Sequence, residues 1–254
     1  MNYIRYAYRH AVGYGLLEQN TVIPLEGSYF ETFKRTHERL CLNQVKLLAP
    51  CIPQKALCIG INYRDHAAEV GHSVPKSPVV FMKPISALVG PNDPIVHPAN
   101  VKRVDYEAEL VIVIKKTAKH VSEKDAADYI LGYTCGNDVT ARDYQSPTGQ
   151  WTIPKGFDTF MPIGPVIVDD VDPTALHIES RLNGVVKQSS NTSNLVFNTH
   201  YLVSYLSSIM TLYPQDIIMT GTPGGISPMA VGDTIEIEIE GIGILTNPIV
   251  AERI

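Results

Sequence analysis

Three carboxylates are spaced for a common task. In DYEAEL, Glu107 and Glu109 sit two residues apart on what reads as a β-strand, because the run continues as Leu110-Val111-Ile112-Val113-Ile114, apolar and largely β-branched, up to Lys115-Lys116. Alternation puts both glutamates on one face, where they repel unless a cation lies between them. A second apolar strand, residues 131–135, runs into Gly136-Asn137-Asp138. If the two strands pair, Asp138 reaches the glutamate face. Three carboxylates form a hard, anionic donor set suited to Mg2+ or Mn2+, with positions left for water or substrate. An isolated E-x-E is more commonly a solvated face or a cross-strand ion-pair site, and a lone aspartate after a strand is more commonly a turn residue. Here the apolar continuation argues for burial on both faces, and buried carboxylates need a metal or a cationic partner.

Other residue types in the chain could serve such a centre. Residues 56–61 read as a short buried strand delivering Asn62-Tyr63-Arg64-Asp65-His66-Ala67-Ala68-Glu69. If residues 65–69 form a helical turn, His66 and Glu69 share a face, and a carboxylate beside an imidazole orients it and makes it a better base. The commoner meaning of such a pair is a surface ion pair. The Pro/Gly/Ser-rich loop 71–78 reads as a hinge, with His72 an ordinary loop histidine. Lys83 ends the buried strand 79–84, where it could steady an acidic substrate or pair with a carboxylate. Residues 139–145 read as one or two helical turns that put Arg142 and Gln145 on one face. Arg142 could hold a substrate carboxylate or a metal-ligating one, or be a plain helix-surface cation. Lys155 lies in a Gly/Pro-flanked loop, where lysines are ordinarily solvated, and Asp158 reads as a loop cap. The loop Gly221-Thr222-Pro223-Gly224-Gly225 presents backbone N–H groups suited to an anion, although many such loops are plain turns.

DYEAEL, GYTCGNDVTARDYQ and the GQWTIPKGFDTFMPIGP stretch from Gly149 together resemble the fumarylacetoacetate hydrolase superfamily, in several blocks in the correct order from about Leu57 onward. The resemblance implies that Glu107, Glu109 and Asp138 are metal ligands, and that the N-Y-R-D-H-A-A-E block is a lid carrying a His66–Glu69 dyad, as in acylpyruvate-hydrolysing members. It implies further that Lys83 and Lys155 point into the site and that Thr222 contacts a substrate carboxylate. It also implies a mixed β-roll or distorted barrel, a small-molecule 2-oxo or 2,4-dioxo acid substrate, and a homodimer.

The elements that must position these groups read as a β-rich α+β chain with few helices. Residues 1–50 form a small N-terminal segment without chemistry: short strands at 4–8 and 21–23, turns at Gly13-Tyr14-Gly15 and Glu26-Gly27, and a helix over about 30–48 closed by Pro50 and Pro53. Residues 51–254 form the catalytic domain. It holds a helix over 122–130 capped by Ser122, a hairpin turning at Asn183-Gly184, a helix over 199–210 with Leu202, Tyr205, Leu206 and Ile209 on one face, and an alternating strand 234–240 with one wet face. A net charge of −5 over 254 residues gives no electrostatic case for nucleic acid or an anionic membrane, and no stretch approaches a transmembrane span. Cys41, Cys51, Cys58 and Cys135 match no zinc spacing and read as reduced thiols of a cytoplasmic protein.

Three functions follow as expectations. The leading one is metal-dependent hydrolysis of a C–C bond in an acylpyruvate-like 2,4-dioxo acid, with the dyad activating water, Lys155 stabilising the oxyanion and an enolate as leaving group; oxaloacetate decarboxylation is its companion activity. The second is an isomerase or decarboxylase of aromatic catabolism, such as a 5-carboxymethyl-2-hydroxymuconate or 2-hydroxyhepta-2,4-diene-1,7-dioate isomerase. The third is a catalytically silent metal-binding protein.

Overall fold

The apolar run that carries Glu109, with Glu107 just before it, lies in mid-sheet, and each of its seven residues, Ala108–Ile114, is buried. In the computed structural model, which describes residues 1–69, 71, 73–146 and 150–253, the principal elements follow in chain order. They are β1 (Asn2–Tyr8), β2 (Ala11–Glu18), β3 (Thr21–Gly27), β4 (Ala56–Gly60), α1 (Arg64–Glu69), β5 (Val79–Lys83), β6 (Ala108–Ile114), β7 (Ile130–Asn137), α2 (Thr152–Lys155), β8 (Met161–Val168), β9 (His177–Leu182), β10 (Val185–Asn191), α3 (Thr199–Ile209), β11 (Ile217–Met219), β12 (Thr234–Ile239) and β13 (Gly243–Ala251). The main sheet runs β3-β2-β1-β8-β7-β6-β11-β4-β5, with short strands added along it. A second sheet runs β13-β12-β9-β10, and a small third one joins Val104–Asp105 to Thr140–Ala141 and Pro228–Met229. The result is a strand-rich α+β roll in which, among the described residues, no sheet closes into a barrel.

Strand pairing sets the site. β6 and β7 are antiparallel, with Ala108 opposite Asn137 and Glu109 opposite Gly136, so the chain leaves β7 beside Glu107. The Asp138 N–H then donates to the Glu107 carbonyl at 2.9 Å. β11 flanks β6 on its other edge and pairs in parallel with β4, which brings the loop after β11 and the segment after β4 to the same end of the sheet. Asn183 and Gly184, at φ 53° and 77°, make the two-residue turn between β9 and β10. In β12, Ile235, Ile237 and Ile239 are buried while Glu236 and Glu238 pair with Arg181 across the outer face.

Several local expectations are corrected. Residues 30–48 are not helical: they give short strands at Phe33–Arg35, Leu40–Cys41 and Lys46–Leu48 around a 3-10 turn, because pairing of Leu25 with Arg35, of Val22 with Leu40 and of Arg5 with Leu48 outweighs intrinsic propensity. Gly13 and Gly15 do not turn the chain. They lie within β2 under the Tyr6 ring, whose atoms would sit 3.2 and 3.1 Å from a Cβ at either position. The helix after Ser122 is a 3-10 stretch, Glu123–Tyr129, and the Ser122 hydroxyl bonds to the Asp125 side chain instead of capping the backbone. Residues 139–145 form a strand pair at Thr140–Ala141 and then a single 3-10 turn, Arg142–Tyr144. Lys155 ends a one-turn helix. On α3 the buried face is Leu202, Val203 and Leu206, and Ile209 is 55% exposed.

Candidate active site

The strand register brings Glu107, Glu109 and Asp138 together at the end of β6 and β7. All three are buried, and one ligand oxygen from each lies within 4.8 Å of the others. Three cations answer them unevenly. Lys155 Nζ donates to Glu107 Oε2 at 2.7 Å and to Asp138 Oδ2 at 2.6 Å, and Arg142 Nη2 donates to Glu107 Oε1 at 2.6 Å. Lys83 Nζ donates to Asp138 Oδ1 at 2.5 Å and to the Val139 carbonyl at 3.1 Å. Among the described residues, Glu109 receives only the Gly221 N–H, at 2.7 Å.

The electrostatics follow this distribution. Burial alone would raise the Glu107 carboxyl, but Lys155, Arg142 and His66 hold it down to about 2. Burial also opposes the Lys155 charge, and Asp138 and Glu107 overcome it, lifting Lys155 to about 12. For Glu109, burial and then the Asp138 and Glu107 charges push the carboxyl well above the carboxylate range, against the weaker pull of Lys155 and the Gly221 N–H. The donor set fits a hard divalent cation. Glu107 Oε2 and both Asp138 oxygens each accept from one cationic side chain and keep a second lone pair. Glu107 Oε1 accepts from Arg142 and, at 3.3 Å, from the Thr140 hydroxyl, and Glu109 is a buried carboxylate with no cationic hydrogen-bond partner among the described residues.

The triad opens onto a cavity of about 240 Å³ whose polar wall includes His66, Arg142, Gln145, Lys155 and Thr222. His66 is carried by α1 and nearly buried; its Nδ1 lies 3.0 Å from Glu69 Oε2, and Glu69 Oε1 accepts the Gly225 N–H at 2.9 Å. With Nδ1 bonded to the carboxylate, the inferred tautomer leaves Nε2 as the free acceptor. The glycine-rich loop therefore does present N–H groups to anions, and those anions are the chain's own Glu109 and Glu69. Arg142 is anchored by Asp105, Nε to Oδ2 at 2.8 Å, and its Nη1 donates to Gln145 Oε1 at 2.8 Å. Lys83 is placed differently from its expected role toward substrate: it is fully buried beneath Asp138 and does not line the cavity. His72 and Gly149 fall outside the described residues.

Sequence reasoning missed the apolar wall, formed by Ile59, Ile61, Phe81, Trp151 and Ile226. The Trp151 indole packs over Gly60, where a Cβ would lie 2.1 Å from Cζ3, and meets the Phe81 ring edge-on at 5.4 Å. Ile61 is held at φ 55°, a conformation that a β-branched residue adopts only under constraint. Asp105 could have been found, since it precedes Glu107 by the same two-residue step that separates the two glutamates.

A family model described as fumarylacetoacetate (FAA) hydrolase C-terminal matches residues 55–250. The chain belongs to that family. A second model, Rv2993c-like N-terminal, matches residues 1–50. Among solved structures, the fumarylacetoacetate hydrolase fold of this chain superposes on 2-hydroxyhepta-2,4-diene-1,7-dioate isomerase from Mycobacterium marinum with a TM-score of 0.93, at 44% identity and 99% coverage of each chain. It superposes on maleylpyruvate hydrolase from Sphingobium sp. SYK-6, in complex with manganese(II) and pyruvate, with a TM-score of 0.84, at 30% identity and full coverage of both. The mitochondrial oxaloacetate tautomerase Fahd2a of Rattus norvegicus is 43% identical over 220 residues, covering 82% of this chain and 70% of the relative. The chain is thus a fumarylacetoacetate hydrolase family member among isomerases, tautomerases and hydrolases, with an acidic triad suggesting a divalent metal. Among the described residues, no helix is long and apolar enough to cross a membrane.

Proposed function

We propose that this chain catalyses proton transfer at C3 of a small 2-oxo acid, interconverting its keto and enol forms, with a 2-oxo diacid such as oxaloacetate as the favoured substrate class. The observation that carries the reading is one small cavity lined by both a buried carboxylate triad and an imidazole whose Nδ1 is held by a carboxylate. Glu107, Glu109 and Asp138 would hold Mg2+ or Mn2+. When bound, such an ion supplies Lewis acidity to a chelated carboxylate and 2-oxo group.

Glu69 fixes the His66 ring, so that Nε2 takes a proton from C3 and returns one to the enolate oxygen as the enol forms. Lys155, held charged by two carboxylates, steadies the negative charge that develops, and Arg142 holds Glu107 in place. Gln145 and Thr222 offer hydrogen bonds to the substrate. A cavity of about 240 Å³ is smaller than the roughly 300–1,000 Å³ of drug-sized pockets, which supports a short acid over a bulky one. The tautomerase and isomerase relatives at 43% and 44% identity support proton transfer ahead of hydrolysis.

Hydrolysis of an acylpyruvate-like 2,4-dioxo acid is the second reading. The same dyad favours it, since Nε2 can equally deprotonate a water directed at the C4 carbonyl, and a hydrolase relative matches the whole chain. A cytoplasmic homodimer belongs to this proposal too: the family resemblance supports the dimer, and four free cysteines support a reducing compartment.

The test follows enol-to-keto conversion of oxaloacetate by ultraviolet absorbance, beside turnover of acetylpyruvate and a 2-hydroxymuconate-type dienol, with Mg2+, Mn2+ or EDTA. Metal-dependent tautomerisation that drops about 10²–10⁴-fold in His66→Ala is expected, the usual range for a lost general base. Metal-dependent acetylpyruvate cleavage without tautomerisation would establish the second reading instead. Turnover unaffected by EDTA would overturn both.

A further inference from the structure

Gln188 lies on β10, in the second sheet, and is fully buried although its neighbours on that strand are largely exposed. Both ends of its carboxamide are engaged. Oε1 accepts the Ala108 N–H at 3.0 Å, while Nε2 donates to Thr222 Oγ1 at 2.8 Å and to the Pro223 carbonyl at 2.8 Å. The backbone groups at its two ends fix which end is which: Ala108 N–H can only donate and Pro223 C=O can only accept. Thr222 Oγ1 is therefore an acceptor from Gln188. Its own proton is left to donate elsewhere, and none of the hydrogen bonds among the described residues uses it, while Thr222 lines the cavity.

From this geometry we infer that Gln188 is a positioning residue: it turns the Thr222 hydroxyl into an obligate donor aimed at an anionic oxygen of the substrate, and sets its distance from the triad. The second half follows from Ala108, the first residue of β6, whose N–H lies in the chain between Glu107 and Glu109. One side chain from the second sheet thus ties the strand that carries two candidate ligands to the loop that carries Thr222. A neutral amide suits this task. A carboxylate there would accept the Thr222 proton and reverse the hydroxyl, and an apolar side chain would leave the hydroxyl free to rotate.

The inference rests on the metal-assisted 2-oxo acid reading, so its test measures binding without turnover. Oxalate chelates as the carboxylate and 2-oxo oxygens of such an acid do, and it cannot react. Its affinity for the Mn2+-loaded protein is measured by calorimetry for wild type, Gln188→Glu, Gln188→Met, Thr222→Val and the double variant Gln188→Met/Thr222→Val. Circular dichroism confirms that each is folded, and Gln188→Met stands in if the buried charge of Gln188→Glu prevents folding. Each single change is expected to weaken oxalate about ten- to hundredfold, the loss of one hydrogen bond to a charged group. The double variant should bind no more weakly than the poorer single, because both act through one hydroxyl. Losses that multiply, or Gln188 variants that bind as wild type while Thr222→Val is impaired, would overturn the role of Gln188. No oxalate binding to wild type with Mn2+ would overturn the functional reading itself.

Discussion

Lys83→Met separates a structural lysine from a substrate-binding one. The Lys83 and Asp138 side chains are both fully buried, 2.5 Å apart, and Lys83 also bonds the Val139 carbonyl. Methionine is unbranched and of similar length, so the change removes charge and two hydrogen bonds with little loss of packing. Asp138 Oδ1 and the Val139 carbonyl are left unpaired in the interior. Removing one partner of a buried ion pair costs about 3–5 kcal/mol. At about 2–4 °C per kcal/mol for a chain of this size, the melting temperature in EDTA should fall by roughly 6–20 °C. Added Mn2+ should recover part of that, since a cation bound only by the folded state contributes about 2.7 kcal/mol at a hundredfold excess over Kd. Lys34→Met, at an exposed lysine, is the control and should stay within about 0.5 kcal/mol of wild type. The assay is thermal unfolding followed by circular dichroism, with KM measured in parallel. A Lys83→Met protein that melts within about 2 °C of wild type while KM rises would refute this placement.

Other consequences can be measured. In the metal-free fold the Glu109 carboxyl lies above its ordinary value of 4.5, so folded chains hold a proton that unfolded chains have lost. Metal-free stability should therefore decline as pH climbs from there toward the raised value, and Glu109→Gln should flatten that slope. Metal binding in that same pH window, above 4.5 and below the raised value, should release a proton, so its calorimetric heat should depend on the buffer; identical heats in buffers of different ionisation enthalpy would contradict this. Trp151 is the only tryptophan, so Gly60→Ala, whose Cβ would sit 2.1 Å from the indole, should shift the emission spectrum and change KM; an unaltered spectrum would mean that the ring does not rest there. Glu69→Gln keeps a hydrogen-bonding group beside His66 but removes its charge, and should lower kcat more than KM, as steady-state kinetics would show.

What could be read in advance depended on how locally it is encoded. Glu107, Glu109 and Asp138 were legible because a strand's two-residue repeat and one antiparallel pairing are enough to bring them together. His66 and Glu69 were legible because they share one helical turn. Lys83 was ambiguous because a lysine at a strand end can face either side of a carboxylate, and only packing decides. The apolar wall was invisible: Ile59, Phe81 and Trp151 come from three separate segments, and each alone is an ordinary core residue. Gln188 was hidden for the same reason, since a buried glutamine is recognised only by its partners. The mistaken helix over 30–48 failed where local propensity met strand pairing with β1 and β3.

The order of strands in the main sheet bears on how the chain is made. β6, with its glutamates, is bounded by β7 and by β11, and β11 in turn supplies the parallel neighbour of β4, from Ala56 to Ile217 and on to Cys58 and Met219. A ribosome that has released β4, α1 and β6 has therefore released strands whose partner is still unsynthesised. The edge of β6 and the edge of β4 stay open until the segment after α3 emerges, and such long-range pairing is slow to form. During that interval Glu109 lacks the glycine-loop N–H that later meets it, and charged carboxylates at the start of β6 disfavour its pairing with a foreign strand edge. Acidic residues that later gather in the cavity would thus first serve as protection for a nascent, unpaired strand.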